Sequence, residues 1–187
     1  MKVKSLALDG VKVLSPLFRR DERGYFAEIF RQEQFFSEIG PVNLVQENES
    51  LSMNVGTIRG LHFQSPPHAQ GKLVRCNAGA IFDVAVDIRH GSSTFGQWVS
   101  EVLTPENGFQ MWIPSGFAHG FCTLEPGSVV SYKVSDYYCA ESDRGIAWDD
   151  PDINVAWPDL ADPSTLSSKD KTQPLLCTLP HFFELDL

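Results

Sequence analysis

Residues 56–75, with the sequence GTIRGLHFQSPPHAQGKLVR, combine one strand-borne imidazole with several cations. Arg59, His62, Lys72 and Arg75 lie there among apolar residues and turn formers. An imidazole can accept a proton near neutral pH, and guanidinium and ammonium groups can hold an anion. The stretch therefore predicts a catalytic pocket that binds an anion.

The charge balance limits what that anion can be attached to. The formal net charge is −9, so the long-range field opposes binding to nucleic acid or to an anionic membrane. We therefore expect neither partner, and we expect a local cation cluster of Arg59, Lys72 and Arg75 to hold the ligand. No apolar run approaches the ~20 residues of a membrane span, and the four cysteines show no CxxC pair. A cytoplasmic protein with reduced thiols is the prediction.

The elements that must position these side chains read as short strands. From residue 42 to 138, apolar runs of five to eleven residues alternate with Gly, Pro and Asn turn signals. RQEQFFSEI, residues 31–39, is the one convincing helix, and Gly40 and Pro41 end it. Short strands with almost no helix between them favour an antiparallel sandwich or barrel over a parallel α/β sheet.

Alternation within the strands predicts which side chains share a face. In a strand over residues 58–64, His62 faces the same way as Gly60, and Arg59 faces away unless Gly60 marks a bulge. Lys72 follows ten residues later, across two prolines, and is predicted on a neighbouring strand. Val130, Tyr132 and Val134 point together, so Tyr132 is expected to face an apolar interior.

The segment WIPSGFAHGF, residues 112–121, supplies a turn followed by a histidine. Its P-x-G-x-x-H pattern resembles the second motif of the cupin superfamily. Metal-binding cupins have H-x-H and a downstream Glu in the first motif, whereas this chain has His62-Phe63-Gln64 and then Lys72. Two histidines and an amide beside a fixed cation make a poor divalent-metal site. We therefore predict a cupin-type barrel without metal or other cofactor.

Five segments in order resemble the dTDP-4-dehydrorhamnose 3,5-epimerases, nucleotide-sugar epimerases of the cupin superfamily. They are GLHFQSPPHAQGKLVR, AIFDVAVDIRHGSSTFGQW, WIPSGFAHGF, YKVSDYY and RGIAWDDPDINVAWP. The resemblance runs from about Asp21 to Asp170. It implies an all-β jelly-roll β-barrel or sandwich with one short N-terminal helix and a few C-terminal turns or short helices. A single domain is expected over 1–187, with N-terminal strands and helix over about 1–41, the barrel over 42–140 and a C-terminal packing segment over 141–187.

The resemblance also implies roles for individual residues. The catalytic histidine falls on His62, with Asp170 as its partner, the enolate-stabilising lysine on Lys72 and the catalytic tyrosine on Tyr132. The implied substrate-binding residues are Arg23, Phe26, Glu28, Gln46, Asn48, Arg59, His119, Tyr138, Asp143 and Lys169. A homodimer is implied, in which the partner's N-terminal segment completes each site around a dTDP-4-keto-6-deoxyhexose.

Two positions depart from the family pattern. Glu49 stands where the family usually has a histidine, and Asp143 stands near a usual Glu. Both changes are expected to alter contacts at the pocket rim.

The implied reaction is proton removal and return at C3 and C5 of the sugar through enolates. Three alternatives stay open at this point. They are epimerisation at C3 only, a metal-dependent cupin oxygenase, and a non-catalytic sugar-binding jelly roll.

Overall fold

The computed structural model describes residues 1–185, and strands dominate them. Its one α-helix within that range, α1, spans Gln32–Ile39. The strands are β1 (Lys2–Ser5), β2 (Lys12–Ser15), β3 (Phe18–Asp21), β4 (Gly24–Ala27), β5 (Gln46–Ser52), β6 (Ile58–Gln64), β7 (Lys72–Ala78), β8 (Ile81–Asp87), β9 (Arg89–His90), β10 (Trp98–Leu103), β11 (Gln110–Ile113), β12 (Phe117–Thr123), β13 (Ser128–Val134), β14 (Asp143–Gly145) and β15 (Phe183–Glu184). Short 3-10 helices cover Ala140–Ser142, Pro163–Thr165, Asp170–Thr172 and Leu176–Thr178.

Two antiparallel sheets face each other. The six-stranded sheet has the order β1-β2-β11-β7-β13-β5, and the five-stranded sheet has the order β10-β8-β12-β6-β14. The apolar core between them draws on both, with Val74, Met111 and Val130 from the first and Ala85 and Phe117 from the second. The sheets therefore form a sandwich, and along each strand the residues that face inward alternate with residues that face outward.

Each outer face is covered by one end of the chain. Phe35 of α1 packs on Trp112 and Leu73, on the outer face of the six-stranded sheet. Ile153 and Leu176 pack on Val84 and its neighbours, on the outer face of the five-stranded sheet. The N-terminal helix and the C-terminal segment thus bury apolar side chains that the sandwich would otherwise expose.

The predicted all-β architecture with one short N-terminal helix and short C-terminal helices is confirmed. The sequence prediction missed β1, β3, β5 and the short strands β9, β14 and β15, and it placed a strand at residues 42–46, of which only Gln46 is in a strand. The predicted division into 1–41, 42–140 and 141–187 stays a prediction, and residues 186–187 lie outside the described range. Over residues 1–185, the structure contains no helix long and apolar enough to cross a membrane.

Candidate active site

A cavity of about 310 Å³ opens between the two sheets. That volume lies at the lower end of the range for ligand pockets, roughly 300–1,000 Å³. Its walls come from five strands and the C-terminal segment, and its lining is Ser50, Thr57, Ile58, Arg59, His62, Lys72, His119, Phe121, Tyr132, Thr165, Ser167, Lys169 and Asp170. Three of these side chains are cations, so the cavity is locally basic in a chain of net charge −9.

His62 and Asp170 form a hydrogen-bonded pair on one wall. The His62 Nε2 atom lies 2.5 Å from Asp170 Oδ1, and the Asp170 side chain is only 4% exposed. Burial raises the pKa of Asp170, but the His62 hydrogen bond and charge and the Ser167 hydroxyl outweigh it, so the pKa lies below its ordinary value. Because an ionised carboxylate only accepts hydrogen bonds, Nε2 carries the proton and Nδ1 is left as the basic atom of a neutral ring.

The bend predicted at Gly60 is present and brings Arg59 into the same cavity as His62. On β12, His119 pairs with His62 but Phe121 pairs with Arg59, so the register shifts between them. Gly60 has φ +125°, and a Cβ there would lie 2.5 Å from the Cα atom of Gly120. A side chain at position 60 would therefore collide with β12.

Arg59 is held in place before any ligand binds. Its Nε atom donates to Ser52 Oγ at 3.0 Å, and its Nη2 atom donates to the Leu51 carbonyl at 3.0 Å. These two bonds leave donors of the guanidinium free for an anion. The position is consistent with the predicted role of Arg59 in binding a diphosphate, which stays a prediction.

Lys72 reaches the cavity from the other sheet. The sequence prediction of neighbouring strands is wrong, because β6 belongs to the five-stranded sheet and β7 to the six-stranded sheet. The Pro66-Pro67 connection crosses between the sheets, and Lys72 Nζ then donates to the His62 carbonyl at 3.1 Å. Burial lowers the pKa of Lys72 from 10.5 to about 8, against the charges of Asp83 and Asp143, which raise it.

Tyr132 stands on β13 of the six-stranded sheet, across the cavity from His62 on β6. The prediction that Tyr132 faces the interior is confirmed by its packing against the core between the sheets. Burial raises the pKa of Tyr132 above its ordinary 10.0, the Arg59 charge opposes this, and the Asp143 charge adds to it. The phenol is therefore protonated at neutral pH and can donate a proton from the wall opposite the imidazole.

His119 has a carboxylate partner of its own. Its Nε2 atom lies 2.7 Å from Asp83 Oδ1, and both side chains are buried. Burial lowers the pKa of His119, and the charges of Lys72 and His62 lower it further against the raising effect of Asp83. The ring is therefore neutral at neutral pH.

The remaining predicted rim residues gather at an adjoining cavity of about 190 Å³, which shares His62, Lys72, Tyr132 and Lys169 with the first. Its lining includes Gln46, Asn48, Tyr138, Asp143 and Lys169. Asp143 Oδ2 accepts a hydrogen bond from Lys169 and another from the Tyr138 hydroxyl at 3.3 Å. The shorter carboxylate at position 143 thus ties two other predicted binding residues together.

Three predicted binding residues lie away from this cavity in the single chain. Arg23 is exposed and pairs with Asp21, and Phe26 is 69% exposed. Phe26 and Glu28 line a separate cavity together with Arg19 and other N-terminal residues. The structure therefore does not bring them to the site of their own chain.

Arg75 is also outside the cavity, so its predicted membership of the cation cluster is wrong. Lys72 and Val74 alternate with Leu73 and Arg75 along β7, and only the first pair faces inward. Arg75 lines a different cavity on the outer side of the six-stranded sheet. Glu49 alternates in the same way with Asn48 and Ser50 and is exposed.

Sequence reasoning assigned no role to Asp83 or Ser167. Asp83 interrupts the apolar strand IFDVAVDI, and a charge at a buried position was the available signal. Ser167 Oγ accepts a hydrogen bond from the Asp170 backbone N–H at 3.1 Å, which gave no sequence signal.

Gln64 stands where a metal-binding cupin would have a metal ligand, and its side chain forms hydrogen bonds with backbone groups. Gln64 donates from Nε2 to the carbonyls of His68 and Tyr137 and accepts from the Cys139 N–H. It fastens two loops at the cavity rim. Among residues 1–185, no three His, Cys, Asp or Glu side chains are grouped so that they could hold a metal ion.

Comparison with known proteins agrees with this geometry. A sequence family described as dTDP-4-dehydrorhamnose 3,5-epimerase matches residues 5–178. A dTDP-4-dehydrorhamnose 3,5-epimerase of Sinorhizobium fredii is 55% identical over 184 residues, covering 98% of this chain and 94% of the relative.

Solved structures with the same fold include two of different specificity. A dTDP-6-deoxy-D-glucose-3,5-epimerase of Legionella pneumophila, in complex with dTDP-4-keto-L-rhamnose, matches with a TM-score of 0.93 and 41% identity, covering 100% of this chain and 99% of that one. A 3'-monoepimerase of Streptomyces bikiniensis, in complex with dTDP-quinovose, matches with a TM-score of 0.85 and 34% identity, covering 92% and 87%. The predicted cupin-type fold is confirmed.

Proposed function

The chain belongs to the dTDP-4-dehydrorhamnose 3,5-epimerase family, and from that premise we propose that it converts dTDP-4-dehydro-6-deoxy-D-glucose into dTDP-4-dehydro-L-rhamnose. The observation that carries the proposal is the placement of a base and an acid on opposite sheets. His62 and Tyr132 line one cavity from β6 and β13. Inversion at a carbon needs removal of a proton from one face and delivery to the other, which this placement allows.

The first step breaks the C3–H bond. His62 Nδ1 accepts the proton, and Asp170 stabilises the imidazolium that forms. The electron pair of the C–H bond moves into an enolate whose negative charge develops on the C4 oxygen. Lys72 lies at the cavity wall to face that oxygen, and its charge acts strongly there because the group is buried.

The second step delivers a proton to the opposite face. Tyr132 gives its hydroxyl proton to C3, the enolate returns to the ketone, and exchange with water restores the imidazole and the phenol. Repetition at C5 uses the same 4-keto group as electron acceptor. Transfer of protons alone needs no redox cofactor, and the residues named here hold every proton that moves.

Residues at the rim of the cavity bind the nucleotide part of the substrate. Arg59 offers its free guanidinium donors to the diphosphate, and Lys169 adds a second cation. Tyr138 is 59% exposed at the adjoining cavity, where its ring offers a face for stacking on the thymine base.

We further propose a homodimer in which a partner's N-terminal hairpin completes the site. The hairpin β3–β4 exposes Tyr25 by 52% and Phe26 by 69%, and Arg23 lies at its tip. These side chains are away from their own cavity but accessible to a second copy. Light scattering at micromolar concentration should give twice the chain mass, and a monomer would contradict the proposal. A cytoplasmic location stays a prediction.

The reaction is tested by proton NMR of dTDP-4-dehydro-6-deoxy-D-glucose incubated with the protein in deuterium oxide. Deuterium at both C3 and C5 is expected. Deuterium at C3 alone would assign the chain to C3-only epimerisation instead. Exchange at neither carbon would refute the proposed function for this substrate.

A further inference from the structure

Asp83 is a charged residue inside the apolar core. It lies on β8 between Ile81 and Ala85, which face the core between the sheets, and its side chain is 0% exposed. Burying a carboxylate costs several kcal/mol unless partners compensate it. Asp83 therefore needs a reason to be there that packing does not supply.

The first partner of Asp83 is His119. On the antiparallel pair β8–β12, His119 lies opposite Ala85 and Phe121 lies opposite Asp83, so His119 and Asp83 are diagonal neighbours on the inner face. The 2.7 Å contact joins His119 Nε2 to Asp83 Oδ1. A carboxylate can only accept this bond, so the His119 ring is held with its proton on Nε2.

The second carboxylate oxygen is the informative one. Asp83 Oδ2 is buried and has no hydrogen-bond partner within the described chain. Orphaned buried oxygens are rare in folded proteins, because each one loses its hydration without compensation. The charge of Asp83 also raises the pKa of Lys72, and its effect there is larger than that of Asp143.

We propose that Asp83 is a positioning residue, whose buried carboxylate fixes the tautomer of His119 and supplies the counter-charge of Lys72 behind the substrate cavity. It does not line the cavity, so it acts through these two side chains. The inference rests on the proposed function, because only a reaction that develops negative charge beside Lys72 benefits from keeping that lysine protonated.

Several other charged groups act on the same two side chains, and a pH experiment must take them into account. Lys72 is influenced by Asp143 on β14 and by Lys169 in the C-terminal segment. His119 is influenced by His62 on β6 and by Lys72 itself. Of these groups, Asp83 is the one that acts on both.

The test is Asp83→Asn, which keeps the size of the side chain and an oxygen acceptor for His119 but removes the charge. Loss of one nearby opposite charge should move the pKa of Lys72 down by about one unit. The basic limb of the pH profile of kcat/KM, which reports the free enzyme, should shift down by the same amount. kcat/KM should then fall about fivefold at pH 8 and less than twofold at pH 6.

Asp87→Asn is the matched control. Asp87 lies on the same face of β8 and is equally buried, but it binds Arg89, Ser92 and Thr94 instead of the cavity wall. The basic limb of the kcat/KM profile of Asp87→Asn should lie at the same pH as in the wild-type protein. A basic limb of Asp83→Asn at the wild-type position, or an activity loss equal at every pH, would overturn the proposal.

A measurement on the unaltered protein covers the case in which Asp83→Asn does not fold. Long-range ¹H–¹⁵N NMR of the histidine rings should show His119 neutral at pH 7, with its proton on Nε2. A proton on Nδ1 or a charged ring would overturn the proposal. This readout needs no substrate, so it also separates failure of the Asp83 proposal from failure of the epimerase reaction, which would appear as an inactive wild-type protein.

Discussion

Replacing Lys72 by Met should remove a pH-dependent cost to stability and should lower activity. In the folded chain burial lowers the pKa of Lys72 from 10.5 to about 8. Each unit of difference between folded and unfolded pKa corresponds to about 1.4 kcal/mol, so the buried charge costs about 3 kcal/mol at neutral pH. Met fills a similar volume without charge. For a chain of this size that free energy corresponds to a rise in Tm of up to about 10 °C.

The gain is an upper value, because the same substitution takes the counter-charge away from Asp83. Its pH dependence is the sharper test. Between about pH 8 and 10.5 the unfolded chain keeps the Lys72 proton that the folded chain has lost, so wild-type stability from this group rises with pH. The stability advantage of Lys72→Met should therefore be full below pH 8 and shrink as the pH rises towards 10.5.

The assay is thermal unfolding of both proteins at pH 7 and pH 10, with Lys133→Met as control. Lys133 lies on the outer side of the same sheet and pairs with Glu47 at 2.6 Å, with a side chain 29% exposed. Its loss should change stability by about 1 kcal/mol or less, alike at both pH values. A stability difference between Lys72→Met and wild type that is the same at pH 7 and pH 10 would contradict this prediction. Turnover of Lys72→Met should fall about 10²–10³-fold.

Three further substitutions test the other roles. Asp170→Asn should lower kcat about 10²-fold with little change in KM, because an amide does not stabilise the imidazolium. Asp162→Asn, at an exposed position, is the control. Equal kcat values for the two variants would contradict the catalytic pairing of His62 with Asp170. Tyr132→Phe should lower formation of the inverted product at least tenfold, while deuterium still enters C3 from the face on which His62 acts. Unchanged product formation would show that another group is the acid. Arg59→Met should raise KM about 10–100-fold, because charged hydrogen bonds to the diphosphate are lost. Arg75→Met, on the outer face of the sheet, is the control and should leave KM unchanged. Equal changes in KM for the two variants would argue against a diphosphate site at Arg59.

The strands that the sequence predicted best are those with one apolar and one distinct face. Residues 81–87 and 128–134 alternate clearly and form β8 and β13. β5 escaped notice because neither of its faces is apolar. Asn48 and Ser50 line the cavities, while Glu47 and Glu49 are exposed, so a strand that serves a polar ligand lacks the alternation on which prediction depends.

The site was predictable residue by residue but not in its spatial arrangement. Spacing along the chain suggested that His62 and Lys72 lie on adjacent strands, whereas they face each other from different sheets. The pairing of His62 with Asp170 joins positions 108 residues apart, and local patterns carry no information about such a contact. Gly60 was the exception, because a glycine within a strand signals a bulge.

The proposed mechanism depends most directly on His62 as the base, and hydrogen exchange measures that role even when no product forms. Wild-type protein and His62→Ala are incubated with dTDP-4-dehydro-6-deoxy-D-glucose in deuterium oxide, and calorimetry with dTDP confirms that both bind the nucleotide. We predict deuterium at C3 and C5 with wild type, and exchange slower by about 10²–10⁴-fold at both carbons with His62→Ala. Exchange by His62→Ala at the wild-type rate would contradict the assignment.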